Sequence, residues 1–229
     1  MTIDIKGISS MATRQVLAEL VGLYAQQSPD RVGIESVGGV DAAKRVQAGE
    51  PFDVVILASD AIDKLVAVGH VRAASKVDLV HSGVAVAVQA GAPVPDIGSE
   101  DAVRAAVLAA PSISYSTGPS GVALAKLFER WGIAQEIAPR IVQAPPGVPV
   151  GTLVARGEVA LGFQQLSELL HVPGITLVGP LPAAIQITTT FSAGVGAAAA
   201  QPSAAQALLG FMASPQAADA KRRQGMDPA

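Results

Sequence analysis

The sequence predicts an α/β protein of two lobes joined by two crossover strands, with a ligand cleft between them. Three observations carry this expectation. Strand-like runs alternate with helical patterns along the chain, the signature of parallel sheet built from βαβ units. Four times an apolar run meets a loop of Gly, Ser, Thr or Pro that opens a helical pattern. Two strand-like runs, 78–88 and 184–195, are long enough to leave one sheet and enter another. The expected division is lobe one at 1–82 plus 188–229 and lobe two at 83–187.

In chain order, strands are expected at 3–6, 32–36, 53–57, 78–88, 113–115, 140–142, 159–162, 176–178 and 184–195. Helices are expected at 11–27, 40–47, 61–68, 100–108, 120–131, 149–156, 166–170, 204–212 and 216–223. The first helix is the clearest, because Val16, Leu17, Leu20, Leu23 and Tyr24 recur at helical spacing and form one apolar stripe.

Composition narrows the function. Of 229 residues, half are hydrophobic and 15% are charged, enough for a substantial core and against disorder. Aromatics make up 3% and the net charge is −3, so the basic patches and stacking rings of a nucleic-acid binder are missing. The absence of cysteine excludes disulfides, zinc–thiolate sites and a Cys nucleophile. Three dispersed histidines, His70, His81 and His171, have no metal-ligand spacing, and neither a metal nor a cofactor is expected. The Ala-rich stretch 193–213 is interrupted by Gly196, Gln201, Pro202, Ser203 and Gln206, well short of the roughly 20 apolar residues of a membrane span. Met1-Thr2-Ile3 leads straight into a strand with no leader pattern. The expected location is therefore cytoplasmic as written, or periplasmic if a signal peptide has been removed.

The four junctions are Gly7-Ile8-Ser9-Ser10, Val37-Gly38-Gly39, Ser116-Thr117-Gly118-Pro119-Ser120-Gly121 and Pro145-Pro146-Gly147. A helix start presents unpaired N–H groups at the positive end of the peptide dipole, and small residues let a ligand approach the backbone. Several such loops at one cleft suit a small oxyanion or carboxylate.

Three segments and the tail resemble one known family. They are the Ser9-Ser10-Met11 loop opening the first long helix, the run 38–56 (GGVDAAKRVQAGEPFDVVI), the run 153–163 (LVARGEVALGF), and 214–226 (SPQAADAKRRQGM). In this order they resemble the molybdate-binding (ModA-like) family of ABC-transporter receptors. The resemblance implies a type II periplasmic-binding-protein fold and an ABC-transporter permease as partner. In that family a tetrahedral oxyanion is held by hydroxyls and backbone amides without a cation. By that likeness Ser10 matches the serine of the first loop, and Gly121 and Gly147 match positions that offer N–H groups. Gln164 or Gln165 falls where the family has a hydrogen-bonding tyrosine. Gly38-Gly39-Val40 replaces a run of serines, which implies a wider pocket with one hydroxyl fewer. The chain also resembles a small group of aconitate isomerases built on the same fold.

The candidate ligand-binding residues are therefore Ser9, Ser10, Gly38, Gly39, Ser59, Thr117, Ser120, Gly121, Gly147, Gln164 and Gln165. Ser10 also suits a helix N-cap, and Asp60 is expected to cap the helix that follows Ser59. Arg14 is the cation nearest the first loop, of interest for a tricarboxylate. The expected function is a substrate-binding protein holding a small oxyanion or carboxylate in the interlobe cleft. The alternative is an isomerase of an unsaturated carboxylic acid on the same scaffold, with His81 or Tyr115 as proton carrier. The expected partners are a small anion and a permease, without nucleic acid or membrane insertion.

Overall fold

The computed structural model describes residues 2–144 and 148–229. The chain has a mixed α/β fold and divides into two compact units, Met1–Ser82 with Thr189–Ala229, and Gly83–Thr188.

Unit one begins with strand β1 (Asp4–Ser10), which continues through the segment expected to be the first loop. Gly7 permits this, because a Cβ there would lie 2.6 Å from Val54 Cγ2 on the neighbouring strand. A 3-10 turn (Met11–Thr13) leads into helix α1 (Arg14–Tyr24), which ends earlier than expected. Strand β2 (Arg31–Val37), helix α2 (Gly39–Gln47), strand β3 (Val54–Ala58) and helix α3 (Ser59–Ala67) complete two βαβ steps. β1 runs parallel to both β2 and β3, and the register aligns Ser9 with Ser36 and with Ile56. β3 is buried on both faces: Val54 and Ile56 join one apolar cluster, Val55 and Leu57 the other. Helix α1 supplies Val16, Leu17 and Leu20 to the first cluster, and α3 supplies Ile62 and Leu65 to the second. Asp53, 3% exposed, ties this sheet together by accepting from the N–H groups of Lys6 and Gln201.

Strand β4 (Val77–Gln89) starts in unit one and ends in unit two. Unit two continues with helix α4 (Glu100–Ala109), strand β5 (Ile113–Tyr115), helix α5 (Pro119–Arg130), helix α6 (Ala134–Ile137) and helix α7 (Val150–Ala155). Strand β6 (Leu161–Gln165), helix α8 (Leu166–Leu169) and strand β7 (Ile175–Pro180) follow. β5 and β6 are parallel, while β6 and β7 run antiparallel to β4. Alternation on β4 again separates two cores, Val84, Val86 and Val88 from Ala85 and Ala87. The strand expected at 140–142 is reduced to a single bridge between Ile141 and Ile113, because a 3-10 turn (Ala138–Arg140) precedes it.

The long run 184–195 is not one strand. Pro182 starts a 3-10 turn (Ala183–Ile185), and strand β8 (Thr188–Val195) begins only after it. Gln186 lies at the break: its Oε1 accepts from the N–H groups of Val84 and Ile187, while Val84 N also donates to Ile187 O at 3.1 Å. β8 is antiparallel to β3 in unit one. Helices α9 (Pro202–Ala213) and α10 (Ala218–Arg223) pack on α1. The chain ends in strand β9 (Asp227–Pro228), which pairs with Val80 and His81 of β4 and was not expected from sequence.

Candidate functional site

In unit one the parallel strands β1, β2 and β3 deliver their C-terminal ends to one edge of the sheet, where α/β proteins place ligands. Ser10 ends β1 and is the N-cap of the 3-10 turn, its Oγ accepting from Ala12 N at 3.4 Å. A capping hydroxyl accepts from the backbone and keeps its own hydrogen for another acceptor. Gly39 lies alongside: a Cβ there would be 3.6 Å from Ser10 Oγ. Gly38 is the N-cap residue of α2, whose first helical bond runs from Ala42 N to Gly38 O. The N–H groups of Gly39, Val40 and Asp41 thus lack helical acceptors. Ser59, partly exposed, opens α3, and Ala58 rather than Asp60 holds its N-cap position. Asp60 instead sits in the first turn beside Lys64, and Asp41 occupies the first turn of α2. These carboxylates already interact with the positive helix ends, so an incoming anion competes with them.

Ser9 is fully buried, unlike Ser10. Its hydroxyl lies 2.8 Å from Ser36 Oγ and 3.3 Å from Ser10 O, so it braces β1 against β2 and positions its neighbour. Arg14 is exposed at the start of α1. His81 pairs through Nδ1 with Thr190 Oγ1 at 2.9 Å, a link between β4 and β8 within unit one.

In unit two β5 and β6 end side by side, with Tyr115 aligned to Phe163 and Gln164 following directly. Beyond β5, Gly118 is the N-cap residue of α5, Pro119 starts it, and Thr117 is exposed. Ser120 is buried and lies 3.1 Å from Ser116 Oγ; one hydroxyl of this pair donates to the other, which leaves one hydrogen to offer. Gly121 is a packing necessity, since a Cβ there would sit 1.6 Å from the Ser116 carbonyl oxygen. Burial holds the Tyr115 hydroxyl above its ordinary pKa, with Glu129 adding to the effect. Gly147 lies outside the described residues.

Gln164 and Gln165 are both buried at the end of β6. The Gln164 amide is held at both ends: Oε1 accepts from Gly151 N at 3.1 Å, and Nε2 donates to Glu168 Oε1 at 2.8 Å. Glu168 was not singled out from sequence. Burial pushes its carboxyl up to about 7, against the opposing effect of the Gln164 bond. The legible signal was a lone acid within the apolar run Leu166–Leu169, four residues after a glutamine that ends a strand.

Among the described residues no cluster of His, Cys, Asp and Glu could hold a metal ion, and no helix is long and apolar enough to cross a membrane. A cavity lined by Val46, Glu50, Phe52, Val55 and His70 lies in unit one near the N-terminal end of β3, at the opposite end of that strand from Ser59.

Polar donors at the C-terminal edges of parallel strands, on a mixed α/β frame, define a solute-binding scaffold. The chain belongs to the bacterial extracellular solute-binding protein family, whose model matches residues 5–227. It is 44% identical to an aconitate isomerase of a Pseudomonas species over 185 residues, 80% of this chain and 70% of that protein. Its fold matches the Azotobacter vinelandii periplasmic molybdate-binding protein with a TM-score of 0.81 at 21% identity, covering 97% of this chain and 98% of the other. It matches the sulfate-binding protein of Mycobacterium tuberculosis equally, at 0.81 and 17% identity, over 99% and 87% of the chains.

Proposed function

We propose that this protein is an isomerase of an unsaturated polycarboxylic acid, of the aconitate type, built on a solute-binding scaffold. The observation that carries the reading is the 44% identity to an aconitate isomerase over 80% of the chain. The likeness to molybdate- and sulfate-binding proteins, at 21% and 17% identity, supports the fold alone.

The site chemistry accords with this reading. Each unit offers donors suited to a carboxylate: Ser10, Ser59 and the α2 N–H groups beside Gly38 and Gly39 in unit one, and Thr117, Ser120 and the α5 start at Gly121 in unit two. Gln165 completes the proposed set among the described residues, Ser9 and Gln164 act by holding their neighbours, and Arg14 is a cation available to a further carboxylate. Glycine at 38 and 39 leaves room for a larger anion than a tetrahedral oxyanion. Amides and hydroxyls aimed at a substrate carboxylate also stabilise the enolate-like charge that develops when an adjacent proton leaves.

A second reading follows from the family match: a receptor that delivers a small anion, molybdate among the candidates, to an ABC-transporter permease. The two readings part in one experiment. Purified protein is incubated with trans-aconitate and with cis-aconitate, and proton NMR follows the double bond. Interconversion is expected. Thermal stabilisation by either acid or by molybdate without interconversion would favour the receptor, and a ligand at a hundred times its Kd adds about 2.7 kcal/mol of stability.

A further inference from the structure

Resting on the isomerase reading, we propose that Glu168 is the proton-carrying catalytic residue, held in place by Gln164. The placement comes from unit two alone. β5 and β6 are parallel neighbours, so the loop after β5, with Ser116, Ser120 and Gly121, and the turn after β6, with Gln165 and Glu168, leave the sheet at the same edge. Glu168 is the carboxyl at that turn. Gln164 bonds it at 2.8 Å and is itself anchored by Gly151 N at 3.1 Å, which fixes the carboxyl rather than leaving it to swing in solvent.

The environment suits acid–base work. A base that must both take and return a proton near neutrality needs a pKa near the working pH. Burial raises the Glu168 carboxyl to about 7, and the Gln164 bond opposes that rise. The charged groups of adjoining elements are Arg156 and Glu158, which pair with each other at 3.8 Å, and His171 just beyond α8; none contributes to the shift. The alternatives fit less well. Tyr115 keeps its proton more tightly than a free phenol, and His81 is engaged through Nδ1 by Thr190 Oγ1 at 2.9 Å.

The step balances without a cofactor. The Glu168 carboxylate takes a proton from the substrate methylene that lies between a carboxylate and the alkene. The C–H electron pair delocalises over the three-carbon allylic unit and its carboxylates. Glu168, now a carboxylic acid, returns the proton to the former alkene carbon. One C–H bond is broken and one formed, the double bond moves by one position, and nothing is oxidised or reduced.

The test compares wild type with Glu168→Gln and Glu168→Asp, using trans-aconitate. Wild-type kcat should rise with pH through a limb near 7. Glu168→Gln should lose about 10²–10⁴-fold in kcat while its melting temperature still rises with trans-aconitate. Glu168→Asp should keep part of the activity with the limb moved to lower pH. An active wild type with an equally active Glu168→Gln overturns the assignment alone. Should Glu168→Gln not fold, the absence of a limb near 7 in wild type overturns it. A wild type that interconverts neither isomer overturns the isomerase reading and this assignment with it.

Discussion

Gly39 and Gly121 both stand in the first turn of a helix, yet different physics holds each as glycine. At Gly121 the Ser116 carbonyl oxygen would lie 1.6 Å from a Cβ, a clash with backbone that cannot rotate away. Gly121→Ala should cost about 1–3 kcal/mol or more, as overpacking does, and should abolish ligand-induced stabilisation; urea unfolding with and without trans-aconitate checks both. At Gly39 the nearest atom to a Cβ is Ser10 Oγ at 3.6 Å, ordinary contact, and the backbone there is not left-handed. Gly39→Ser should change stability by no more than about 0.5 kcal/mol. It should narrow the site and restore a hydroxyl, so that stabilisation by trans-aconitate falls and stabilisation by molybdate or sulfate rises. A thermal-shift panel reads the exchange, and unchanged ranking would remove Gly39 from the site. Both residues are legible as glycine at a helix start. What separates them is a carbonyl five residues back in one case and a serine on another strand in the other, and neither distance is written in the local sequence.

Elements show the same division between pattern and partner. The core strands were legible because apolar, β-branched runs bounded by small residues need little context, and β3 and β4 lie where expected. β1 was read too short because its second half, Gly-Ile-Ser-Ser, has loop composition; the ladder to β2 and β3 overrides local preference. The run expected at 184–195 starts later as β8, because the 3-10 turn after Pro182 and the Gln186 side chain, bonded to Val84 N of β4, interrupt it. Glu168 escaped notice because its carboxyl is special only through burial and Gln164, not through any motif. Its raised pKa means that the folded state binds its proton more tightly than the unfolded chain. The stability this confers is full below about 4.5 and is lost as pH rises through about 7. Glu168→Gln, which cannot ionise, should therefore gain stability relative to wild type as pH rises from 5 to about 8; urea midpoints across that range check the sign. Helix α10 carries the converse case. Lys221 is 1% exposed, and burial lowers the pKa of its ammonium. Among the described residues no carboxylate pairs with it. Because a depressed lysine pKa opposes folding until the group deprotonates, Lys221→Met should be more stable at pH 7 by about 1 kcal/mol, the low end of the gain from replacing buried charge with an apolar side chain. The advantage should shrink as pH rises toward the lysine range.

At the scale of the whole molecule, two units built from separate cores each carry a hydroxyl donor of the proposed set. Ser10 in unit one keeps its own hydrogen, and the Ser116–Ser120 pair in unit two has one hydrogen to offer an anion. A hydrogen bond to a charged group contributes about 1.5–3 kcal/mol, so removing either donor should weaken trans-aconitate binding by roughly 10- to 100-fold. Ser10→Ala should also cost about 1 kcal/mol of stability through the lost N-cap, whereas Ser120→Ala removes only one partner of a hydroxyl pair. The stability effects are thus unequal while the binding effects should be alike. Calorimetric titration of both variants separates the two quantities. If Ser120→Ala binds trans-aconitate as wild type does, Ser120 leaves the proposed donor set, and the same holds for Ser10 if Ser10→Ala is silent. Glu168 follows β6 at the sheet edge where the loop carrying Ser120 leaves β5. A ligand that ignores Ser120 would therefore also weaken the case for Glu168, so the Ser120→Ala titration bears on whether the Glu168 proton serves catalysis or only stability.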